Sequence, residues 1–345
     1  PNKRILVGHL VNYKGRLTRA GRRALGGAAL LAACTSLVGG APAVASPLKL
    51  TWDYSADLMT GLSGGTSRGA RHADDLNLGA DLDLQEALGW RGASAHLDLS
   101  STGGGAPSEI AGAAQGIDGL EAGSQRLRAY QAWIEAPLGT GLSGRVGLTD
   151  LSGEFATADS AGVLLNPSFG MSPDFAASGA AAYPSTSLAV RLRYAPTEGA
   201  YAQVALANAR PGVPGDRGGA DTTFNDGSVL VAEAGLTGAG KVAVGFWRAT
   251  RSRDDLVELD AAGDPVRRTA QGAYAVAERP LGGPVTGFFR LGVADGRTAP
   301  FRSSAQAGLL VQPAFSARPE STISAGVTVA SLGRAYRDTL GPGAT

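Results

Sequence analysis

An all-β fold, a transmembrane antiparallel up-and-down β-barrel, is predicted by three features of this chain. Thirteen short segments alternate apolar and polar residues with a period of two, the spacing that sends successive side chains to opposite faces of a strand. The connectors between them run long, short, long, short along nearly the whole length, as in barrels with tight turns at one membrane surface and extended loops at the other. The third feature is what the 345 residues lack: at 43% hydrophobic content they hold no uninterrupted apolar run of the roughly 18 residues that mark a membrane helix.

The elements follow in order. Residues 48–62 place Leu48, Leu50, Trp52, Tyr54, Ala56 and Leu58 on one face and Lys49, Thr51, Asp53, Ser55 and Asp57 on the other. After the polar connector 63–74, Leu76, Leu78, Ala80, Leu82 and Leu84 oppose Asp75, Asn77, Asp81 and Asp83. A short turn at 85–92 leads to strand 93–100, the long connector 101–125 to 126–136, and the turn 137–141 to 142–149. Beyond the connector 150–187 come 188–194, the turn 195–200 and 201–208; beyond 209–227 come 228–236, the turn 237–240 and 241–249. The connector 250–270 precedes 271–278, the turn 279–284 and 285–294, and a shorter link at 295–303 precedes 304–312, the turn 313–320 and 321–330. Each strand is near the roughly 9 to 11 residues that a tilted strand needs to cross a bilayer. The turns draw on 51 glycines and 18 prolines, the residues that tight reversals require.

A soluble β-sandwich also has strands with one apolar and one polar face. Its connectors have no reason to sort by length, which favours the barrel. Thirteen strands is an odd number, whereas single-chain bacterial barrels close with an even one, and 341–345 read as loop. An open edge in lipid would leave backbone groups unpaired, so the expectation is a barrel of sixteen strands of which the C-terminal three are missing.

The N-terminus reads differently. Seven basic residues, from Lys3 to Arg23, precede an apolar run at 24–38 and the triplet Ala43-Val44-Ala45, the order of a secretory leader cut after Ala45. The expected division is therefore a signal peptide at 1–45 and a barrel at 46–345. No acid precedes that cut, so 24 of the 31 Lys and Arg residues face all 30 acids in the mature chain, a net charge of −6. The only cysteine, Cys34, lies in the leader. Leu31-Ala32-Ala33-Cys34 also fits a lipoprotein processing box, which would make Cys34 a lipidated terminus.

From about Tyr54 onward the chain resembles the carbohydrate-selective porins of Gram-negative outer membranes, the OprB type. The most specific stretches are GLTDLSGEFATADSAGVLLNPSFGMSPDF at 147–175 and YPSTSLAVRLRYAPTEGAYAQV at 183–204, supported by DLDLQEALGWRGASAHLDL at 81–99, RLRAYQAWIEAPL at 126–138 and GFFRLGVADGR at 287–297. The resemblance implies a sixteen-stranded outer-membrane channel that passes monosaccharides and similar small solutes down their gradient.

Candidate pore residues follow from cost, because an arginine on the lipid face near mid-membrane destabilises a barrel by about 2–4 kcal/mol. Arg191 and Arg193 must then face the lumen while Val190, Leu192 and Tyr194 meet lipid. The same reasoning sends Asp81, Asp83, His96, Asp98, Arg145 and Glu233 inward. In 126–136, Arg126 and Arg128 share a parity with Tyr130, Ala132 and Ile134. Placing the arginines above the hydrocarbon makes Tyr130 an interfacial girdle residue and puts Gln131, Trp133 and Glu135 inside, where the ring of Trp133 could meet the apolar face of a sugar. The connector 150–187 is too long and too hydrophobic for an exposed loop; it should fold back and narrow the barrel, with Glu154, Asn166, Phe169 and Asp174 at the constriction.

The expected function is thus a passive outer-membrane channel whose partners are sugars, small hydrophilic solutes and lipid, with homo-oligomerisation left open. Two other classes compete: a barrel serving as an anchor or enzyme, and a secreted soluble β-protein. His72 and His96 are the only histidines after residue 45, no metal-spaced His or acid cluster occurs, and no cofactor is expected. His96, Asp98 and Ser100 share one strand face, the nearest approach to a hydrolytic triad. No basic or aromatic-basic pattern suggests a nucleic-acid partner.

Overall fold

The computed structural model describes residues 5–16, 46–61, 65–113, 115–122, 126–212 and 220–340. Its strands are β1 (Ile5–Arg16), β2 (Leu48–Gly61), β3 (Gly69–Asp83), β4 (Ser94–Gly104), β5 (Arg126–Gly139), β6 (Leu142–Thr149), β7 (Ser187–Thr197), β8 (Ala200–Asn208), β9 (Ser228–Leu236), β10 (Lys241–Ala249), β11 (Arg253–Leu259), β12 (Pro265–Arg268), β13 (Gln271–Gly282), β14 (Val285–Ala294), β15 (Phe301–Val311) and β16 (Ile323–Leu332). All but β11 and β12 form one 14-stranded sheet in chain order, each strand antiparallel to the next. Among the described residues the sheet is open, with β1 and β16 as its edges.

The thirteen strands expected from periodicity are β2 to β10 and β13 to β16. β11 and β12 form a separate hairpin inside the connector 250–270. β1 lies within the segment read as a leader and pairs with β2 from Ile5 opposite Gly61 to Arg16 opposite Thr51. Ala45 and Cys34, on which the cleavage and lipidation readings depend, fall outside the described residues.

Exposure decides between barrel and sandwich. Along β7, Val190, Leu192 and Tyr194 are 52%, 41% and 50% exposed while Arg191 is 4% exposed. The inversion recurs around the sheet: Leu48, Leu50, Leu97, Val204, Leu206, Val244, Leu291 and Val327 are exposed, while Asp75, Gln203, Glu233, Arg290 and Gln306 are buried. A water-soluble sandwich buries its aliphatic rows. Here they form the outer surface, as contact with acyl chains requires.

Two departures from strict alternation have local causes. In the pairing of β4 with β5, Asp98 stands opposite Gln131 and Leu99 opposite Ala129, so Tyr130 is an extra residue in a β-bulge. A bulge shifts the phase of the strand that carries it. Arg128 and Tyr130 are consequently both buried while Leu127 is exposed, and Tyr130 is not the girdle residue that parity suggested. The Tyr130 hydroxyl donates to Asp150 at 2.6 Å, and Arg128 donates to Thr102 at 3.1 Å and to the Pro184 carbonyl at 3.3 Å. The second departure is Asp83. It caps the short turn helix α1 (Leu84–Leu88), accepting from the amides of Gln85 and Glu86 at 2.8 and 3.1 Å, so it serves the turn and not the lumen.

Candidate functional site

The connector between β6 and β7 folds into the barrel, where its buried apolar residues find partners on the inner wall. Leu151, Phe155, Phe169 and Phe175 join one buried cluster with Ala205, Val229, Val231, Trp247, Tyr274 and Phe288 of the strands. The ring of Phe169 meets that of Phe288 edge-on at 5.9 Å, and Phe175 lies 5.4 Å from Tyr274. Glycines cut the seat: a Cβ on Gly326 would fall 2.8 Å from Leu164 and 2.9 Å from Phe169, and one on Gly292 would fall 1.8 Å from the Asp174 carboxylate.

Polar contacts fasten the segment at successive strands. Glu154 accepts from Arg145 of β6 and, at 2.9 Å, from Arg191 of β7, and its carbonyl accepts from Gln203 of β8 at 2.8 Å. The Ala156 amide donates to Glu233 of β9 at 2.8 Å. Lys241 of β10 donates to the Thr157 carbonyl at 2.9 Å and hydroxyl at 2.6 Å. The Ser160 amide and hydroxyl donate to Glu278 of β13 at 2.9 and 2.7 Å. Residues 154–160 therefore run around the inner wall as a belt, crossing the strands. The return limb is held by Arg290, which donates to the carbonyls of Phe169 and Gly170, by Gln306 to the Ser168 carbonyl, and by Ser304 to Asp174.

Between the belt and the wall from β3 to β8 lies a polar cavity of about 690 Å³. Of the expected pore residues, Gln131, Trp133, Glu135, Arg145, Arg191, Arg193 and Glu154 line it, joined by Asp81 and His96. The structure adds Thr157, Asp159, Tyr201, Gln203 and Lys241. Periodicity could have found Tyr201 and Gln203, which share the inward parity of β8; Thr157 and Asp159 carry no such signal because they lie in an irregular segment.

The remaining candidates sit elsewhere. Phe169 and Asp174 are buried against the wall and anchor the connector instead of facing the opening. Asn166 donates to the Gly116 carbonyl at 3.1 Å and accepts from the Ser168 amide at 2.9 Å, tying the return limb to the connector between β4 and β5. Glu233 lies under the belt, 3% exposed. Asp98 is half-buried on β4 with one carboxylate oxygen unpartnered, outside the residues that line the cavity.

Two lining groups differ in detail from what the sequence suggests. Arg145 and Arg191 both donate to Glu135, at 2.6 and 2.9 Å, as well as to Glu154, so the two guanidiniums are neutralised by two carboxylates. The ring of Trp133 is covered. His96 from β4 stacks on it at 5.0 Å, and the Arg145 guanidinium from β6 lies 3.7 Å from its centre. These come from the strands on either side of β5, so the ring presents no open face to a solute. Arg193 rests over the Tyr201 ring at 4.2 Å and donates to Gln203 at 2.9 Å; it enters no salt bridge among the described residues.

The residues of a hydrolytic triad are not brought together. His96 turns to Asp81 at 2.7 Å and Ser100 donates to Asp75 at 2.7 Å. Among the described residues no group of three or more His, Cys, Asp or Glu side chains could hold a metal ion.

Comparisons with known proteins agree with this geometry. No curated protein matches the sequence. Among solved structures, the high-pH structure of Pseudomonas putida OprB is similar with a TM-score of 0.75 at 21% identity, covering 85% of this chain and 77% of that one. The low-pH structure of the same protein gives 0.51 at 20% identity, covering 82% and 77%. These likenesses show the fold. Residues 67–344 match the family described as "Carbohydrate-selective porin, OprB family", and with an inside-out sheet around a polar, loop-narrowed cavity the chain belongs to that family of outer-membrane carbohydrate porins.

Proposed function

We propose that the chain is a passive diffusion channel for monosaccharides and similar small neutral solutes, which pass between the belt and the wall from β3 to β8. The observation that carries this reading is the cavity. Its lining couples fixed hydrogen-bonding side chains to open space, which suits solutes that carry many hydroxyls. A channel must bind weakly enough to release, and here most charged lining groups already bond one another. Arg193, Gln131 and Asp159 keep polar atoms for a passing sugar; arginine's planar fork can hold paired hydroxyls. Liposome swelling tests it: glucose should enter quickly and larger oligosaccharides slowly, and equal, negligible uptake of both would contradict the proposal.

The reading extends to export. A leader at 1–45 would be removed after Ala45, and N-terminal sequencing of membrane-extracted protein would reveal a start at Ser46 or, if the lipoprotein box operates, a modified Cys34. The aliphatic outer rows suit lipid, and association into oligomers is open to measurement in detergent.

A further inference from the structure

Resting on the porin reading, we propose that Glu233 is a positioning residue that keeps the passage open by holding the belt back on β9, clear of the wall from β3 to β8 that bounds the passage. Its carboxylate accepts four hydrogen bonds: from the Tyr201 hydroxyl at 2.7 Å, the Gln203 amide at 3.2 Å, the Tyr274 hydroxyl at 3.0 Å and the backbone amide of Ala156 at 2.8 Å. Three of these donors belong to the wall and one to the belt. An ionised carboxylate offers acceptor sites alone, so it can satisfy all four together, and with 3% exposure it is shielded from the passage. Its work is on the belt.

The Ala156 end of this bond bears the complementary mark. Ala156 has φ +56° and is fully buried, a left-handed conformation that a residue with a Cβ adopts only when its surroundings impose it. The imposed turn aims the Ala156 amide at the wall. Thr157 and Asp159, immediately beyond, face the cavity, so the position of Ala156 sets how far they project into it. Glu154 and Thr157 are fastened on either side. Without Glu233 the short span between them is free to relax off the wall into the passage.

Planar-bilayer recording of the full chain tests this, with gel mobility before and after heating as the check that the barrel is folded. Glu233→Ala should lower single-channel conductance about twofold and add open-channel noise, since current through a narrow pore follows its calibre. Glu233→Gln keeps the volume but supplies one oxygen and two unwanted donors; it should act in the same direction and serves if the alanine variant does not fold. Because Glu233 faces the belt and not the passage, ion selectivity read from the reversal potential should stay constant in both. A folded variant with conductance at or above that of the unaltered chain overturns the proposal, as does a fall in conductance that merely tracks a change in selectivity. Absence of any channel from the unaltered chain would instead overturn the porin reading itself.

Discussion

Arg191 joins Glu154 of the folded-in connector to Glu135 of the wall, donating to each at 2.9 Å. Arg145 spans the same two carboxylates. Four charges thus form a closed set in which every member is at most 22% exposed. Such a set adds little over apolar packing, yet removing one member strands the others. Arg191→Met and Glu154→Gln should each lower the unfolding free energy in lipid by about 3 kcal/mol, and the double variant should lose less than the sum. Urea unfolding of the four proteins of this cycle measures the coupling, and strict additivity would deny that the set acts as a unit.

Charge selectivity should favour cations. Arg145 and Arg191 at the belt are matched by carboxylates, which leaves Arg193 as the lining arginine without a salt bridge, whereas three acids, Asp53, Asp75 and Asp98 of β2, β3 and β4, have no Lys or Arg partner among the described residues. A low-dielectric wall lined by one sign of charge concentrates the opposite ion. The reversal potential across a potassium chloride gradient should carry the sign of potassium preference, and Asp98→Asn should reduce it.

The connector between β4 and β5 should loosen above pH 6. Burial, with the Asp57 and Glu121 carboxylates nearby, pushes the Asp118 carboxyl up to about 6, although the Leu120 amide donates to it at 2.9 Å. The folded chain then holds this proton more tightly than the unfolded one. Between about pH 4 and pH 6 the unfolded state is already deprotonated here, so this group's contribution falls as pH rises through that window and is lowest above it. Limited proteolysis of 105–122 should be slower at pH 5 than at pH 7.5, and Asp118→Asn should remove the difference.

On the outer surface the cost is one of solvation. Val190 of β7 is exposed among aliphatic neighbours, so Val190→Arg should destabilise the barrel by about 2–4 kcal/mol at the bilayer midplane. Urea unfolding in lipid reads the change directly. A neutral result would mean that this row does not meet hydrocarbon.

Period-two patterning made the strands and their faces legible because each residue's side is set by its own neighbours along the chain. It failed at Tyr130, where one extra residue changed the phase: a bulge is defined by the partner strand, and nothing in 126–136 announces it. The infolding of 150–187 was legible from its apolar content, but not what it would touch. Phe169 and Asp174 were expected at the opening, and both are seated on β14 and β15, more than 100 residues away in sequence. Trp133 shares its parity with Gln131 and Glu135, yet the covering of its ring by His96 and Arg145 depends on register across three strands. Asp83 continued its strand's alternation and ended as a helix cap, since alternation does not say where a strand stops.

The hollows at Gly292 and Gly326 bear on how such a channel could diverge. They hold the return limb close to the wall only because a hydrogen stands where other residues carry carbon. A single methyl at either site would displace Asp174 or Phe169 toward the barrel axis, a shift set by steric bulk and independent of charge. Tuning of bore could therefore arise from codons for residues that no solute ever meets, leaving the polar lining chemically intact.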